Sequence, residues 1–226
     1  MTPLQTDFFF DQGYLLLKGF HPKKRMSAIR QSLLDELKRL SGGGSTPGSL
    51  HRLPVFQQIG KLSSLVKSPG LHEALMTGEL VDHVARLAGR APVAIQATQL
   101  LLSPARQGPW TLQGLNWHVD AKARTPDLLP GIQAFFLIDD VAPRGGATLA
   151  LAGSHRAAAS GSPLREALRA GVDLERKLQE LGITVVEMAG RAGDVFLMDM
   201  RLLHTPSINS TANVRMMATS RCLLTA

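Results

Sequence analysis

Asn116-Trp117-His118-Val119-Asp120 is the stretch on which the fold turns. Alternate side chains of an extended strand point to one face, so His118 and Asp120 are expected to project together into an interior. Two donors on one strand do not complete a metal site. The third is expected from far along the chain, in Leu203-His204-Thr205, which requires a distant strand to fold back beside the first. His118, Asp120 and His204 then place two imidazoles and one carboxylate on one side of an ion. Such a set leaves the opposite positions open and suits non-haem Fe(II) that must accept a co-substrate and oxygen. His-x-Asp alone is weak evidence: a lone histidine is more often core or surface, and Asp120 could be a turn residue.

Two further segments supply the context. In Gly190-Arg191-Ala192-Gly193-Asp194-Val195-Phe196-Leu197-Met198-Asp199-Met200-Arg201-Leu202-Leu203-His204, a Gly-Asp turn leads into an apolar strand expected to run up to the histidine. In Asn213-Val214-Arg215-Met216-Met217, an arginine follows His204 by eleven residues. A guanidinium there could clamp a carboxylate through two parallel, charge-assisted hydrogen bonds. The plainer reading of Arg215 is a surface charge on an edge strand.

At these residues the sequence resembles the phytanoyl-CoA dioxygenase family of Fe(II)/2-oxoglutarate oxygenases, and the resemblance spans nearly the whole chain. Residues Phe10 to Phe20 look like that family's first strand and Gln133 to Val141 like its central strand. Gly145-Gly146-Ala147-Thr148-Leu149 and Ala152-Gly153-Ser154-His155 look like its Asn-Gly-Ala and Pro-Gly-Ser-His segments. The chain departs from the pattern in three places. Ala152 stands for the usual Pro, Arg144-Gly145 for Asn-Gly, and Val119 for the Gln that many members carry between their ligands. None of these removes a ligand. His155 is expected to support a turn and not to bind metal.

The resemblance implies a mainly β fold with flanking helices, a double-stranded β-helix of the jelly-roll or cupin-like kind. It also implies the chemistry: a 2-oxoglutarate-dependent dioxygenase that uses Fe(II), 2-oxoglutarate and O2. Such an enzyme oxidises, most simply hydroxylates, a C–H bond of a small molecule and releases succinate and CO2. In that scheme His118, Asp120 and His204 hold the metal, and Arg215 holds the distal carboxylate of 2-oxoglutarate. Gln99, Phe135 and Gln133 are further candidates for co-substrate contacts, with core lining as the equal alternative. Asp120 argues against the halogenating relatives, in which a small residue vacates that position. Two other classes stay open: a metal-binding jelly roll that isomerises or binds a ligand without oxygen, and a nucleic-acid-directed oxygenase.

Composition bounds these readings. A chain of 226 residues fits one all-β domain with helical additions, and a mean hydropathy of +0.04 with 44% hydrophobic residues is ordinary for a packed core. The single Cys222 allows no intramolecular disulfide and no cysteine metal site; a cytoplasmic setting is expected. No signal-peptide pattern and no run of about 20 apolar residues is seen. A net charge of +7 and a pI near 10.1 invite nucleic acid as partner. The basic residues are scattered, however, and aromatics make up only 5% of the chain, too few for a base-stacking platform. A basic solvated surface, or a small substrate that is anionic or carrier-linked, fits better; Lys122 and Arg124, just past the metal ligands, could meet its charge.

Periodicity places the rest. Met26, Ile29, Leu33, Leu37 and Leu40 recur at three and four and predict a helix over 22–40, ended by Gly42-Gly43-Gly44-Ser45 and a loop to about Leu50. A second helical region is expected from a Ser68 cap and Pro69 at the first turn, through Leu71 and Leu87, to Gly89. Helical support is thus expected over about 22–89, with strands from about Val93 onward. Residues 163–181 read as one or two short helices inside a 156–182 connection that could be a substrate lid or a packed insertion. Pro104 to Gly114 is a second candidate rim, and Trp110 and Trp117 could line the cavity mouth or pack.

Overall fold

The computed structural model describes residues 1–42, 50–121, 128–156 and 162–225. The chain begins with helix α1 (Pro3–Gln12). Thr2 and Gln5 cap it reciprocally, which satisfies two otherwise orphaned N–H groups. The helix closes on Gly13 in the left-handed region, whose N–H returns to the Phe9 carbonyl. This corrects the expectation of a strand over Phe10–Phe20. Phe10 to Gln12 are helical, and strand β1 is only Tyr14–Leu17.

Helix α2 (Lys23–Gly42) follows, burying Met26, Leu33 and Leu40 as the periodicity predicts. Helix α3 (Val55–Leu65) was not anticipated. The second expected helix is two: α4 (Leu71–Leu75), entered through Gly70 and not Ser68, and α5 (Gly78–Ala88), capped by Thr77 and ended by left-handed Gly89. The strands are β2 (Ala94–Ile95), β3 (Gln99–Ser103), β4 (Gly131–Leu137) and β5 (Thr148–Leu151). Helices α6 (Pro163–Ala170) and α7 (Leu174–Glu180) interrupt the series. Strands β6 (Val185–Glu187), β7 (Val195–Asp199), β8 (His204–Pro206) and β9 (Arg215–Leu223) complete it.

The strands form two antiparallel sheets, the layering of a jelly roll. The larger runs β1-β7-β4-β9-β2, with β3 also on β9; the smaller runs β6-β5-β8. Strand β4 lies between β7 and β9 and is buried along its whole length. Its outward residues Ile132, Ala134 and Phe136 pack in one cluster with Leu33, Leu75, Leu80 and Val84 of the helices. Its inward Phe135 and Leu137 join Ala147, Ala150 and Met217 in a second cluster between the sheets. Each fully buried large side chain of this kind contributes roughly 1.5–3 kcal/mol, so the helices fix the larger sheet from behind and leave its inner face for the site.

The 163–181 region forms its helices on the outside. Leu164, Ala167, Leu174 and Leu178 pack with Leu149 and Leu151 of the smaller sheet and with Leu203 just before β8, in a third cluster. Trp110, Leu112 and Trp117 join the same cluster.

Candidate metal centre

Strand β7 does not run up to His204, as the sequence had suggested; it stops at Asp199. The Asp199 carboxylate accepts the Arg201 backbone N–H at 2.8 Å and pairs with the Arg201 guanidinium at 2.6 Å. This turn carries the chain out of the larger sheet, so that His204 opens β8 in the smaller one.

There His204 meets His118. The two residues exchange both backbone hydrogen bonds, His118 N–H to His204 O at 3.0 Å and His204 N–H to His118 O at 2.9 Å. Residues directly opposed in an antiparallel pair present their side chains on the same face, and the two rings stand 4.3 Å apart between centroids. The two-residue alternation then does the rest. Asn116, His118 and Asp120 line the cavity, while Trp117 and Val119 turn outward to the third cluster. Asp120 is fixed by its N–H to the Met200 carbonyl at 2.9 Å.

The donor atoms of His118, Asp120 and His204 all lie within 4.8 Å of one another. Asp120 Oδ1 is 3.9 Å from His118 Nε2, and Oδ2 is 3.6 Å from His204 Nε2. Each histidine faces a backbone carbonyl two residues earlier through Nδ1: His118 to Asn116 at 2.9 Å and His204 to Leu202 at 3.0 Å. An Nδ1–H donated there leaves the Nε2 lone pair toward the cavity, the tautomer a metal ligand needs. Burial, reinforced by the neighbouring His118 and only partly offset by Asp120, pulls His204 down to about 4, so its imidazole is neutral at physiological pH. The donor set therefore fits a divalent ion.

Arg215 stands at the start of β9 and is not the surface charge of the plainer reading. It is buried, and burial pulls its guanidinium down to about 9, so it still carries its charge near neutrality. Nε donates to the Gly146 carbonyl at 2.7 Å and Nη1 to Leu101 O at 2.6 Å. Among the described residues no carboxylate pairs with it. A buried cation held by carbonyls alone has an unmet need for an anion, and Arg215 lines the same cavity as the triad.

That cavity has a volume of about 290 Å³, at the small end of the roughly 300–1,000 Å³ usual for ligand sites. Gln99, Gln133 and Phe135 all line it, with Phe135 edge-on to the His204 ring. No residue of Pro104–Gly114 and none of α6 or α7 does. Helices α6 and α7 instead contribute Leu164, Ala167, Leu174 and Leu178 to the third cluster. Lys122 and Arg124 lie outside the described residues. His155 is buried, with Nε2 at 3.0 Å from the Phe10 carbonyl of α1.

Two features were missed. Phe56 and Ile59 of α3 line the cavity; Val55, Ile59 and Leu62 gave a helical signal, but over only three turns. The other is Arg221. Its Nε and Nη2 both reach Asp120 Oδ2, at 3.2 and 3.1 Å. Counting by two along β9 from Arg215 would have put it on the same face.

Comparison with known proteins agrees with this picture. The family model described as Phytanoyl-CoA dioxygenase (PhyH) matches residues 9–217. No curated protein matches the sequence. Among solved structures, AviO1 from Streptomyces viridochromogenes Tue57 is similar with a TM-score of 0.65 at 15% identity, over 99% of this chain and 95% of that one. The non-haem α-ketoglutarate-dependent carbocyclase SnoK from nogalamycin biosynthesis is similar with a TM-score of 0.64 at 20% identity, over 98% and 83%. EvdO2 from Micromonospora carbonacea var. aurantiaca, solved with 2-oxoglutarate, has a TM-score of 0.61 at 17% identity, over 100% and 92%. At such identities these likenesses establish the double-stranded β-helix fold.

Proposed function

Because the chain belongs to the phytanoyl-CoA dioxygenase family of 2-oxoglutarate-dependent non-haem iron oxygenases, we propose that it oxidises a C–H bond of a small molecule, most simply by hydroxylation. Its cofactors are Fe(II), 2-oxoglutarate and O2. When bound, they supply the oxidising power: one oxygen atom enters the succinate formed as 2-oxoglutarate loses CO2, and the other serves the substrate.

The chain's own residues bind and orient. His118 and His204 offer Nε2, each aligned by its Nδ1 contact to the backbone. Asp120 offers Oδ1, because its Oδ2 accepts a hydrogen bond from Arg221 Nε and pairs with Arg221 Nη2. Arg215 offers the N–H groups not engaged with Gly146 and Leu101 to the distal carboxylate of 2-oxoglutarate, and its net charge favours an anion in a site shielded from solvent. Phe135, His204 and Arg215 are buried, while the His118 side chain is 40% exposed, so the site opens to solvent on the His118 side. No protein acid or base is needed to take a proton from carbon.

One observation carries this reading: the three donors and the buried Arg215, with no acidic partner among the described residues, face one cavity. Its test is Arg215→Ala. Truncating one side of a buried charge pair costs 2–5 kcal/mol, so the concentration of 2-oxoglutarate required for succinate production should rise by more than about thirtyfold with iron still bound. An unchanged requirement would assign that carboxylate elsewhere. The products of neighbouring enzymes differ, a carbocyclase among them. Hydroxylation is therefore to be read from the mass of the oxidised substrate, not from the metal site.

A further inference from the structure

Arg221 is the second cation on the cavity wall, and unlike buried Arg215 it is open, with a side chain 28% exposed. Nε and Nη2, which form one edge of its guanidinium, both turn to Asp120 Oδ2, at 3.2 and 3.1 Å. A guanidinium carries five N–H groups, so the outer edge made by Nη1 and Nη2 is left over. Nη1 has no partner among the described residues and is not sealed from solvent. Such an edge is the fork that grips a carboxylate through two parallel hydrogen bonds.

Charge asks for an anion at the same place. Among the described residues that line the cavity, the charged ones are Asp120, Arg215 and Arg221, since His118 and His204 must be neutral to hold a metal. In the loaded site a divalent ion balances the two carboxylates of 2-oxoglutarate, and Asp120 balances one arginine. One positive charge is then unmatched. Arg215 has the distal carboxylate of 2-oxoglutarate, so the excess lies with Arg221, whose partner Asp120 is shared with the ion. Six residues of extended strand, about 20 Å, separate the two arginines along β9. The cavity also opens beside the metal ligands, where the His118 side chain is 40% exposed, so a second molecule can reach this end. Lys122 and Arg124 are the cations that the sequence offers to an anionic substrate; Arg221 lies on the cavity itself.

We propose that Arg221 anchors the substrate, which carries a carboxylate that docks on the outer edge of this guanidinium while Asp120 holds the inner one. This inference rests on the reading of the cavity as an oxygenase site. An arginine fixed by a neighbour is pre-organised, so little side-chain freedom is lost when the acid binds. An uncharged analogue forfeits both the fork and the charge balance.

A matched pair of small probes tests it: cyclohexanecarboxylate, which carries the charge, and cyclohexanecarboxamide, which has nearly the same shape without it. Binding is followed at pH 7.5 by ligand-observed NMR on protein loaded with Zn(II) and saturating 2-oxoglutarate, so that the Arg215 clamp is occupied. The carboxylate should bind about tenfold more tightly than the amide. Arg221→Gln, which removes charge and fork together, should reduce that preference to less than about twofold. With Zn(II) still bound, its 2-oxoglutarate affinity should fall by less than about tenfold, because the Arg215 clamp is distant. If Arg221→Gln does not fold or load, Arg221→Lys, which keeps the charge beside Asp120 but not the fork, should cut the preference at least about threefold. A wild-type protein that binds both probes equally or neither, or a preference that neither substitution lowers, would overturn the proposal. So would a loss of 2-oxoglutarate affinity of about tenfold or more in Arg221→Gln, which would place Arg221 on the co-substrate. If 2-oxoglutarate fails to bind wild-type protein while an Arg221-dependent preference persists with Zn(II) alone, the oxygenase reading fails and the carboxylate site stands.

Discussion

Asp120 is held from two sides, by the Met200 carbonyl through its N–H and by Arg221 through Oδ2. The pair is partly shielded, with side chains 28% and 10% exposed, so it is worth more than the usual surface ion pair. In metal-free protein a double-mutant cycle with Arg221→Ala and Asp120→Ala, read by urea unfolding, should give a coupling of about 1–2 kcal/mol. Additive effects would mean that Arg221 does not order the carboxylate. At this scale the sequence was legible where a residue type has one chemistry: His118, Asp120, His204 and Arg215 stand in one cavity as their types demanded. It was not legible where partners come from register. Arg221 meets Asp120 only because β9 runs past the 116–120 segment.

Elements show the same division. The heptad-like spacing of α2 and the Gly89 stop of α5 were readable because propensity, periodicity and packing agree there. The first strand was overestimated because a capping box and a glycine C-cap turn Phe8-Phe9-Phe10 into a helix despite their β preference. The break between β7 and β8 is invisible in an apolar run, since both halves are buried and only the Asp199 turn separates them. The Gly-Asp turn before β7 is the element most exposed to a single change. Gly193 has φ 95°, and a Cβ there would run into the His21 carbonyl oxygen. Gly193 O also accepts the His21 N–H at 2.9 Å, so the contact cannot open without cost. Gly193→Ala should lower stability by about 2–4 kcal/mol in chemical denaturation; a loss below 1 kcal/mol would show that the turn can relax.

For the molecule as a whole, two sheets backed by helices on one side and a helical pair on the other were implied by the family resemblance; pattern alone would not have separated them from another β sandwich. No helix among the described residues is long and apolar enough to cross a membrane. Burial also sets the acid response of the metal-free fold. His204 and His21 are both pulled down to about 4, by desolvation first. Between the ordinary histidine value of 6.5 and about 4 the unfolded chain therefore binds protons that the folded one refuses. Stability should fall as pH drops through that window. Glu187, whose carboxyl burial raises, works in the opposite direction just above its ordinary value and softens the slope. Urea unfolding at pH 7.5, 6 and 4.5 checks this, and a flat response would mean the two imidazoles are not held neutral. The central claim is that this fold brings His118, Asp120 and His204 to one Fe(II) that also takes 2-oxoglutarate. It is tested most directly by adding Fe(II) and 2-oxoglutarate to the protein without oxygen and recording the visible spectrum. The account requires a weak charge-transfer band that is lost in Asp120→Ala; no band in the wild-type protein, or the same band in the variant, would contradict it.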